Sequence, residues 1–275
     1  MTLPVRRFAS FVLAAALGAV IAPHPPAALA QTTVAAPAQD ALSRIRQSGV
    51  LRVGLTGDYD PFSLSDKNGE FRGVDVDAAR MLAAAIGPKV RVEIVKTSWP
   101  SMTADLLADK FYIAMGGVTR NKPRSEAGEL SHTYYVDGKV ALIRAADKER
   151  FKTLADLDRP DVTVLVNPGG TNQQFVDGTI KRAKIVVVAD NLAIPGMIAD
   201  GKGDVMFTDG VEAKLKAAAD PRLFVASADR PFTHVEKVYY LPKGQMALLD
   251  VVNAWIDKMQ SNGGYARLFA KYLGG

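Results

Sequence analysis

One six-residue stretch of the chain combines glycines, a hydroxyl and amides in a way that suits an anion. Residues 167–172 read NPGGTN; they follow an apolar run typical of a buried strand and open a segment with helical character. Free backbone N–H groups at a helix start, together with the Thr171 hydroxyl, can donate to a carboxylate. The Gly-Lys-Ser/Thr ending of a nucleotide P-loop is absent. The stretch therefore indicates an anion site, with an ordinary turn and helix cap as the alternative.

Two other polar loops follow predicted strands in the same manner. Residues 57–62 read GDYDPF, and residues 116–124 read GGVTRNKPR. Ligands favour the carboxyl ends of parallel strands and the clefts between lobes. We therefore expect the three loops to meet around one small-molecule site.

Composition excludes several kinds of chemistry. The chain has no cysteine, which rules out disulfides, thiolate metal sites and cysteine nucleophiles. Of its three histidines, only His132 and His234 lie beyond the N-terminal segment, so a histidine-rich metal site is not expected. The 34 Lys plus Arg against 29 Asp plus Glu form no dense basic block, which argues against a nucleic-acid or membrane-surface partner. We predict no metal and no cofactor.

Strands and helices alternate along the chain in two successive series. In the first series, strands are predicted at residues 50–55, 90–95 and 113–115, with helices at 41–48, 74–86 and 100–108. Strand–helix–strand repeats are typical of a parallel sheet with crossover helices.

The second series resembles the first. Strands are predicted at 140–143, 162–166, 185–188, 205–207 and 223–226, and helices at 153–157, 171–183, 192–200 and 210–218. An extended segment at 235–241 and helices at 246–260 and 264–272 close the chain. Two α/β series joined by extended crossings predict two lobes with a cleft between them. We assign 41–139 to lobe 1, 140–234 to lobe 2, and 235–275 to the return into lobe 1.

The N-terminal segment has the pattern of a secretory signal peptide. Arg6 and Arg7 precede an uncharged, mostly apolar run at residues 8–22, and Ala28 to Ala30 supplies a small-x-small cleavage motif. We predict a signal peptide over residues 1–30 and a flexible leader over 31–40, and hence a periplasmic protein. An uncleaved membrane anchor is the alternative, although the apolar run is short for spanning a bilayer.

Several short motifs along the chain together give it a family resemblance. They are TGDYDPFS from Thr56, GVDVDAAR from Gly73, TSWPSM from Thr97, DGK from Asp137, VNPGGTN from Val166, DN at Asp190, TDGVEAKL from Thr208 and EKVYYLP from Glu236. With these motifs the chain resembles the type II periplasmic solute-binding proteins that bind polar amino acids and, within them, the periplasmic cyclohexadienyl dehydratases. The resemblance implies a two-lobed α/β fold of the type II periplasmic binding protein class, with parallel-type sheets and a cleft between the lobes.

The resemblance also implies roles for individual residues. Glu212 matches the proposed general acid, Lys139 a lysine beside the reacting ring, and Asn167 an asparagine that orients the substrate. Arg124 and Thr171 match the carboxylate contacts. The full set implied to bind substrate is Trp99, Arg124, Thr171, Gly117, Asp58 and Asp209.

Each of these residues also has a purely structural interpretation. Glu212 lies three residues after Asp209 at a helix start, which is the spacing of a capping box. Asp209 is then either a helix cap or the partner of a substrate ammonium group. Trp99 would be a core or rim aromatic, and Asn167 before a proline would be a turn residue. Lys139 and Arg124 would be solvated.

The resemblance implies a dehydratase that removes carbon dioxide and water from a small anion. Its substrates would be prephenate, giving phenylpyruvate, and/or arogenate, giving phenylalanine. A glutamic acid that burial keeps protonated can give its proton to the leaving hydroxyl. The alternative is an amino-acid-binding subunit of an ABC importer, whose partner would be the membrane permease. The fold serves both functions and cannot separate them.

Overall fold

The structure is a computed structural model that describes residues 40–274. The predicted signal peptide and nearly all of the predicted leader lie outside these residues. The helices are α1 Ala41–Ser48, α2 Val74–Ile86, α3 Met102–Leu107, α4 Lys122–Ala127, α5 Leu154–Leu157, α6 Thr171–Thr179, α7 Ile194–Ala199, α8 Gly210–Ala219, α9 Met246–Ser261 and α10 Gly264–Leu273. None of the helices within residues 40–274 is long and apolar enough to cross a membrane.

Fifteen strands are assigned among the same residues. They are β1 Val50–Leu55, β2 Asp58–Tyr59, β3 Ser63–Ser65, β4 Phe71–Arg72, β5 Arg91–Lys96, β6 Ile113–Ala114, β7 Gly128–Leu130, β8 Tyr135–Asp137, β9 Lys139–Arg144, β10 Thr163–Val166, β11 Lys184–Val187, β12 Val205–Asp209, β13 Leu223–Ala226, β14 Val235–Lys237 and β15 Tyr240–Pro242.

Lobe 1 is built on a five-stranded sheet in the order β5-β1-β6-β15-β7. Strand β1 is parallel to both β5 and β6, whereas β15 is antiparallel to β6 and β7. Helix α9 packs its apolar face on this lobe because Leu248, Val252, Trp255 and Met259 recur at helical spacing and are all buried. The core of the lobe therefore combines the first part of the chain with its last two helices.

Lobe 2 is built on a second five-stranded sheet in the order β11-β10-β12-β9-β13. Strand β10 is parallel to β11 and β12, whereas β9 is antiparallel to β12 and β13. The sheets are thus mixed, which refines the expectation of parallel-type sheets. The antiparallel strands β9 and β15 are those that follow the two crossings, so they run away from the cleft while their neighbours run towards it.

The two crossings between the lobes pair with each other. Strands β8 and β14 form a two-stranded antiparallel sheet, with Val235 opposite Asp137 and Lys237 opposite Tyr135. Directly after β8, Lys139 begins β9 and lies opposite Asp209, the last residue of β12. This register brings a residue of the first crossing next to the end of a lobe 2 strand, at the cleft.

The local elements follow the predictions closely, with some differences. Helix α6 ends at Thr179 rather than at residue 183, because the chain turns extended at Ile180. The three short strands β2, β3 and β4 form a small separate sheet that the sequence analysis did not predict. Helix α4 and strands β7 and β8 were also not predicted.

Candidate functional site

A small cavity of about 20 Å³ lies between the two lobes. Both lobes and the second crossing contribute to it, and most of the side chains are polar or aromatic. The lining residues are Tyr59, Trp99, Gly117, Thr119, Asn167, Gly170, Thr171, Asn172, Asn191, Asp209 and Lys237. Residues from all three polar loops thus meet there, as the sequence predicts.

Asp209 is the centre of a buried charged cluster. Its side chain is about 3% exposed and forms ion pairs with two lysines that are as deeply buried. Lys237 Nζ lies 2.6 Å from Oδ2, and Lys139 Nζ lies 2.9 Å from Oδ1. The hydroxyl of Tyr59 donates to Oδ2 as well. A lobe 1 loop, the second crossing and lobe 2 therefore meet at one carboxylate.

These contacts decide the protonation of Asp209. Burial alone would raise its pKa, but the two lysines and the Tyr59 hydroxyl outweigh burial and hold the pKa well below its usual range. Burial lowers the pKa of Lys237, while its contact with Asp209 opposes that effect. At neutral pH Asp209 is therefore a carboxylate, in contact with the Nζ atoms of both lysines.

Lys139 connects this cluster to the NPGGTN loop. Its Nζ donates to Asn172 Oδ1 at 2.5 Å and to Thr171 Oγ1 at 3.2 Å. Asn172 Nδ2 in turn donates to Asn167 Oδ1 at 3.2 Å. Lys139 is buried, so the interpretation of this residue as a solvated surface lysine is wrong. The loop carries a positive group directly behind its hydroxyl and amide side chains.

Glu212 lies one turn into α8 and is also buried. Thr208 Oγ1 donates to Glu212 Oε2, and within residues 40–274 no basic side chain forms an ion pair with this carboxyl group. Burial raises its pKa to about 7, although the bond from Thr208 opposes the shift. Glu212 does not line the cavity itself; Thr208 and Asn172, 3.4 Å apart, connect it to the lining.

The capping-box interpretation of Glu212 is wrong. Asp209 is the N-cap residue of α8 by position, but its side chain makes no capping hydrogen bond. Asp137 instead accepts from the backbone N–H groups of Gly210 and Val211, each at 3.0 Å. Because Asp137 already satisfies the first turn, the side chains of Asp209 and Glu212 are available for other contacts.

Arg124 is a buried cation beside the cavity. Its Nη1 donates to the carbonyl oxygen of Thr119 at 2.7 Å, and its guanidinium carbon lies 6.0 Å from the centre of the Trp99 ring. Among the described residues no carboxylate pairs with it, and burial lowers its pKa to about 10. Arg124 is therefore still charged at neutral pH, and the interpretation of a solvated arginine is wrong.

Trp99 and Asp58 form a wall on the lobe 1 side. Trp99 lines the cavity and its indole Nε1 donates to Asp58 Oδ1 at 3.0 Å, so Asp58 lies behind the ring rather than in the lining. Burial raises the pKa of Asp58. Asn191 of lobe 2 donates from Nδ2 to the backbone oxygen of Asp58 at 2.9 Å, and its Oδ1 is buried without a partner among the described residues.

Gly117 adopts a backbone conformation that glycine favours, with φ of 76°. Its N–H does not face the cavity as a free donor, because Asp75 Oδ2 accepts from it at 2.7 Å. A side chain at this position would lie 2.5 Å from the Tyr59 ring and 2.8 Å from that of Phe62. Gly117 therefore contributes space and backbone shape to the site rather than a hydrogen bond.

The cavity brings most of the predicted site residues together. Asn167, Thr171, Trp99, Gly117 and Asp209 line it. The predicted residues Glu212, Lys139 and Arg124 stand one side chain behind the lining, and Asp58 stands behind Trp99. Three further lining residues, Tyr59, Thr119 and Asn172, lie in the predicted loops but were not named individually. Asn191 and Lys237 lie outside those loops and were not predicted as site residues.

Comparison with known proteins adds an independent line of information. The sequence model of the bacterial extracellular solute-binding proteins, family 3, matches residues 51–275. The chain belongs to this family. Within residues 40–274, no group of three or more His, Asp or Glu side chains is arranged to hold a metal ion.

Relatives in the family include an enzyme and binding proteins. The chain is 42% identical to a cyclohexadienyl dehydratase of Pseudomonas aeruginosa over 222 residues, which cover 81% of this chain and 82% of that protein. It is 27% identical to the L-cystine-binding protein TcyJ of Escherichia coli over 234 residues, covering 85% and 86% of the two chains. The likeness to the enzyme is thus the stronger of the two.

Solved structures of the family show the same two-lobed fold. One is an ancestral amino acid-binding protein, AncCDT-1, described as a precursor of cyclohexadienyl dehydratase; it superposes with a TM-score of 0.78 at 34% identity, covering 86% of this chain and all of the other. A single-substitution variant of an ancestral cyclohexadienyl dehydratase, AncCDT-3, is 46% identical over 86% of this chain and 98% of its own length, with a TM-score of 0.54. These matches identify the fold as the type II periplasmic binding protein class.

Proposed function

We propose that this family 3 protein is a periplasmic dehydratase that converts prephenate to phenylpyruvate and/or arogenate to phenylalanine. The observation that carries the proposal is Glu212: a buried carboxyl group with a pKa near 7, held by a single hydroxyl donor, close to a cationic cleft. A pure binding protein has no need of a buried proton donor. The 42% identity to a cyclohexadienyl dehydratase supports the same conclusion.

The proposed reaction requires a proton donor at the hydroxyl group that leaves the ring. Prephenate carries a ring carboxylate and a hydroxyl on opposite ring carbons. The C–C bond to the carboxylate breaks, its electron pair enters the ring, carbon dioxide leaves, and the C–O bond breaks on the other side. The leaving oxygen takes a proton from Glu212 and departs as water, and Glu212 regains a proton from solvent. General-acid catalysis of this kind contributes roughly 10²–10⁴-fold.

The remaining residues divide between binding and orientation. We propose that Arg124 and Thr171 bind substrate carboxylates, since Arg124 is a buried cation beside the cleft and Thr171 begins helix α6. Lys139 and Asn167 would hold the ring substituents in line, and Trp99 would cover one face of the ring. Asn172 accepts from Lys139 and donates to Thr208, so it would hold Thr208, and through it Glu212, in a fixed position relative to Lys139.

We propose that the protein acts in the periplasm and that its two lobes move relative to each other. The predicted signal peptide over residues 1–30 would export the protein to the periplasm, in agreement with its membership of an extracellular family. Residues 41–139 and 235–275 would move as lobe 1, and residues 140–234 as lobe 2, about the paired crossings β8 and β14. Closure of the lobes would remove water from the reacting ring.

The direct test is to add the purified protein to prephenate and measure phenylpyruvate formation, with arogenate and phenylalanine in parallel. Turnover of either substrate supports the proposal. Tight binding of an amino acid with no turnover of either compound would instead support the importer subunit, which resembles the L-cystine-binding relative.

Replacement of Arg124 separates binding from chemistry in the same assay. Arg124→Met keeps much of the side-chain length but removes the charge that the substrate carboxylate needs. We expect KM to rise about tenfold or more, with kcat affected less, because charged hydrogen bonds contribute roughly 1.5–3 kcal/mol. A loss confined to kcat would contradict the binding role of Arg124.

A further inference from the structure

Asp75 is a fully buried carboxylate that lies outside the cavity lining. It belongs to the stretch GVDVDAAR and stands in the first turn of helix α2. Its Oδ2 accepts from the backbone N–H groups of Gly116 and Gly117 at 2.9 and 2.7 Å, and from the Tyr134 hydroxyl at 2.7 Å. Its Oδ1 accepts from the Tyr239 hydroxyl at 3.0 Å. One side chain thus gathers donors from three separate segments of the chain.

Two of these donors begin the loop that carries binding groups into the cleft. Gly116 and Gly117 have φ angles of 91° and 76°, in a region that favours glycine, and both N–H groups point to the same carboxylate oxygen. Two residues further on, Thr119 lines the cavity, and its carbonyl oxygen accepts from Arg124. Asp75 therefore holds the start of the backbone segment that leads directly to the lining.

The other two donors stand at the lobe 1 ends of the two crossings. Tyr134 directly precedes β8, and Tyr239 follows β14 by two residues. Their rings are stacked with centres 4.7 Å apart. Tyr265 of helix α10 stacks on Tyr134 at 5.2 Å, and its hydroxyl lies 3.0 Å from that of Tyr239. Asp75 therefore joins the cleft loop to both segments that connect the lobes.

Hydrogen bonds, rather than cations, stabilise the negative charge of Asp75 among residues 40–274. Burial raises its pKa to about 6, although its four bonds oppose the shift. The titratable side chains that face it are the three tyrosines, and burial raises their pKa values, so they remain donors. The charged groups on neighbouring segments have partners elsewhere: Asp77 contacts Lys271, Asp60 contacts Arg72, and Lys237 contacts Asp209.

Protonation of Asp75 would weaken this arrangement. A protonated carboxyl group has a donor on one oxygen and keeps only neutral acceptors. Hydrogen bonds to an ionised acceptor are roughly twice as strong as those to a neutral one. A protonated Asp75 would therefore hold the N–H groups of Gly116 and Gly117 less firmly, and residues 116–119 would be freer to change shape.

We infer that Asp75 is a positioning residue whose negative charge holds residues 116–119 in their binding shape, so that the cleft binds an anionic ligand more weakly once Asp75 takes up a proton. The inference adds a regulation by acid to the same cleft, and it rests on the proposed function for its ligand. The affinity should be complete well above pH 6 and decrease as the pH falls through about 6.

The first measurement needs no ligand. The backbone amide signals of Gly116 and Gly117 are followed by NMR between pH 8 and pH 4.5, in the unmodified protein and in Asp75→Asn, which keeps the shape of the side chain without its charge. We expect both signals to move with a common midpoint near pH 6, and to stay in place in Asp75→Asn. Tyr239→Phe removes one donor to the ionised form, so the midpoint should rise by up to about one unit.

The second measurement is the dissociation constant of prephenate at pH 8, taken by calorimetry in Glu212→Gln, which slows turnover. Adding Asp75→Asn should weaken binding about tenfold, because the loop then has no charged acceptor at any pH. Asp77→Asn is the matched control: it removes a carboxylate two residues further along the same helix, whose lysine partner Lys271 is exposed. It should change neither the dissociation constant nor the two glycine signals.

The outcomes separate this inference from the proposed function. Glycine signals that do not titrate, or an unchanged dissociation constant in Asp75→Asn, would overturn the positioning role even if the protein converts prephenate. If prephenate binds in a way that depends on Asp75 but is not converted by the unmodified protein, the dehydratase proposal fails and the positioning role stands. If prephenate does not bind at all, the proposed function fails, and the titration of the glycine signals decides whether Asp75 controls the loop.

A second variant covers the case in which Asp75→Asn does not fold. Tyr239→Phe keeps the carboxylate and its bonds to the cleft loop, so the raised midpoint of the glycine signals remains measurable. The pH at which prephenate binding weakens should rise by the same amount. A midpoint that moves without any change in the pH dependence of binding would overturn the inference.

Discussion

Asp209 lies among cations, whereas Glu212, three residues further along the chain, has a single hydroxyl donor. Both side chains are almost fully buried, at 2% exposure, and both lie where strand β12 passes into helix α8. The lysines at Asp209 hold its pKa below its usual range, while burial raises the pKa of Glu212 to about 7. One corner of the fold thus holds a carboxylate that stays ionised and a carboxyl group with a pKa near neutrality.

The difference teaches that local partners, rather than residue type or depth, set the two pKa values. Desolvation acts on both groups and raises both pKa values. Only at Asp209 do positive partners outweigh burial, because the register of β9 places Lys139 opposite it and the return crossing brings Lys237. Groups whose surroundings separate their proton affinities in this way are the ones suited to acid–base chemistry.

The largest expected effect comes from removing the compensated anion. Asp209→Asn would leave two buried lysines without their carboxylate, and we expect the free energy of unfolding at pH 7 to fall by about 3–5 kcal/mol. Denaturant titration measures the change. Asp200→Asn, which breaks an exposed ion pair with Arg222, is the matched control and should cost about 1 kcal/mol or less. If the two variants lost the same free energy of unfolding, the buried ion pairs of Asp209 would contribute no more to stability than an exposed pair.

The second effect is a pH dependence of stability due to Glu212. Its pKa in the folded protein is raised from 4.5 to about 7, so its contribution is complete below about pH 4.5 and is lost as the pH rises through 7. The unmodified protein should therefore lose about 3 kcal/mol more than Glu212→Gln between these limits, since one pKa unit corresponds to about 1.4 kcal/mol. Asp75, whose pKa is raised to about 6, titrates in both proteins and cancels. Parallel stability curves would contradict the raised pKa.

The third effect is on turnover. Glu212→Gln keeps the size and hydrogen bonding of the side chain but has no proton to give, so kcat should fall at least about 100-fold with KM within a few-fold. Glu93→Gln, on an exposed position of β5, should match the unmodified protein. A normal rate for Glu212→Gln would remove this residue as the acid and leave the charged cluster as the functional centre.

The smallest effect concerns how finely the surroundings set the Glu212 pKa. The Thr208 hydroxyl stabilises the ionised form, so Thr208→Val should raise this pKa further. The fall of kcat/KM at alkaline pH should then move to higher pH, by up to about one unit for a bond worth roughly 0.5–1.5 kcal/mol. A shift to lower pH would mean that Thr208 stabilises the protonated acid instead.

Much of the fold follows from patterns that the chain carries locally. The apolar runs at residues 50–55 and 162–166 became the buried strands β1 and β10, and the helical spacing at 74–86 became α2. The strands β2, β3 and β4 have only two or three residues each, too few for any periodicity to show. Their pairing depends on loop closure next to the cleft.

The site could be predicted only in part, because its centre is assembled from distant segments. The loop at 167–172 had a local signal, since glycines and a hydroxyl precede a helix. Lys237 had none, because a lysine in a short extended segment is normally solvated. Tyr59 and Lys237 are 178 residues apart in the chain and meet at Asp209 only through the two crossings. The cap from Asp137 also depends on tertiary structure. The spacing of Asp209 and Glu212 therefore suggested a capping box that the structure does not contain.

Gly117 carries a consequence for how this sequence can evolve. The Tyr59 ring that occupies the space above it is the same ring whose hydroxyl reaches Asp209. Even an alanine there would push Tyr59 away from its carboxylate partner, besides straining a backbone that suits glycine. Any substitution of Gly117 should therefore disrupt the Asp209 cluster and be selected against wherever the cluster is needed. A side chain at Gly178 meets no such obstacle, because nothing lies within 4 Å of an added Cβ.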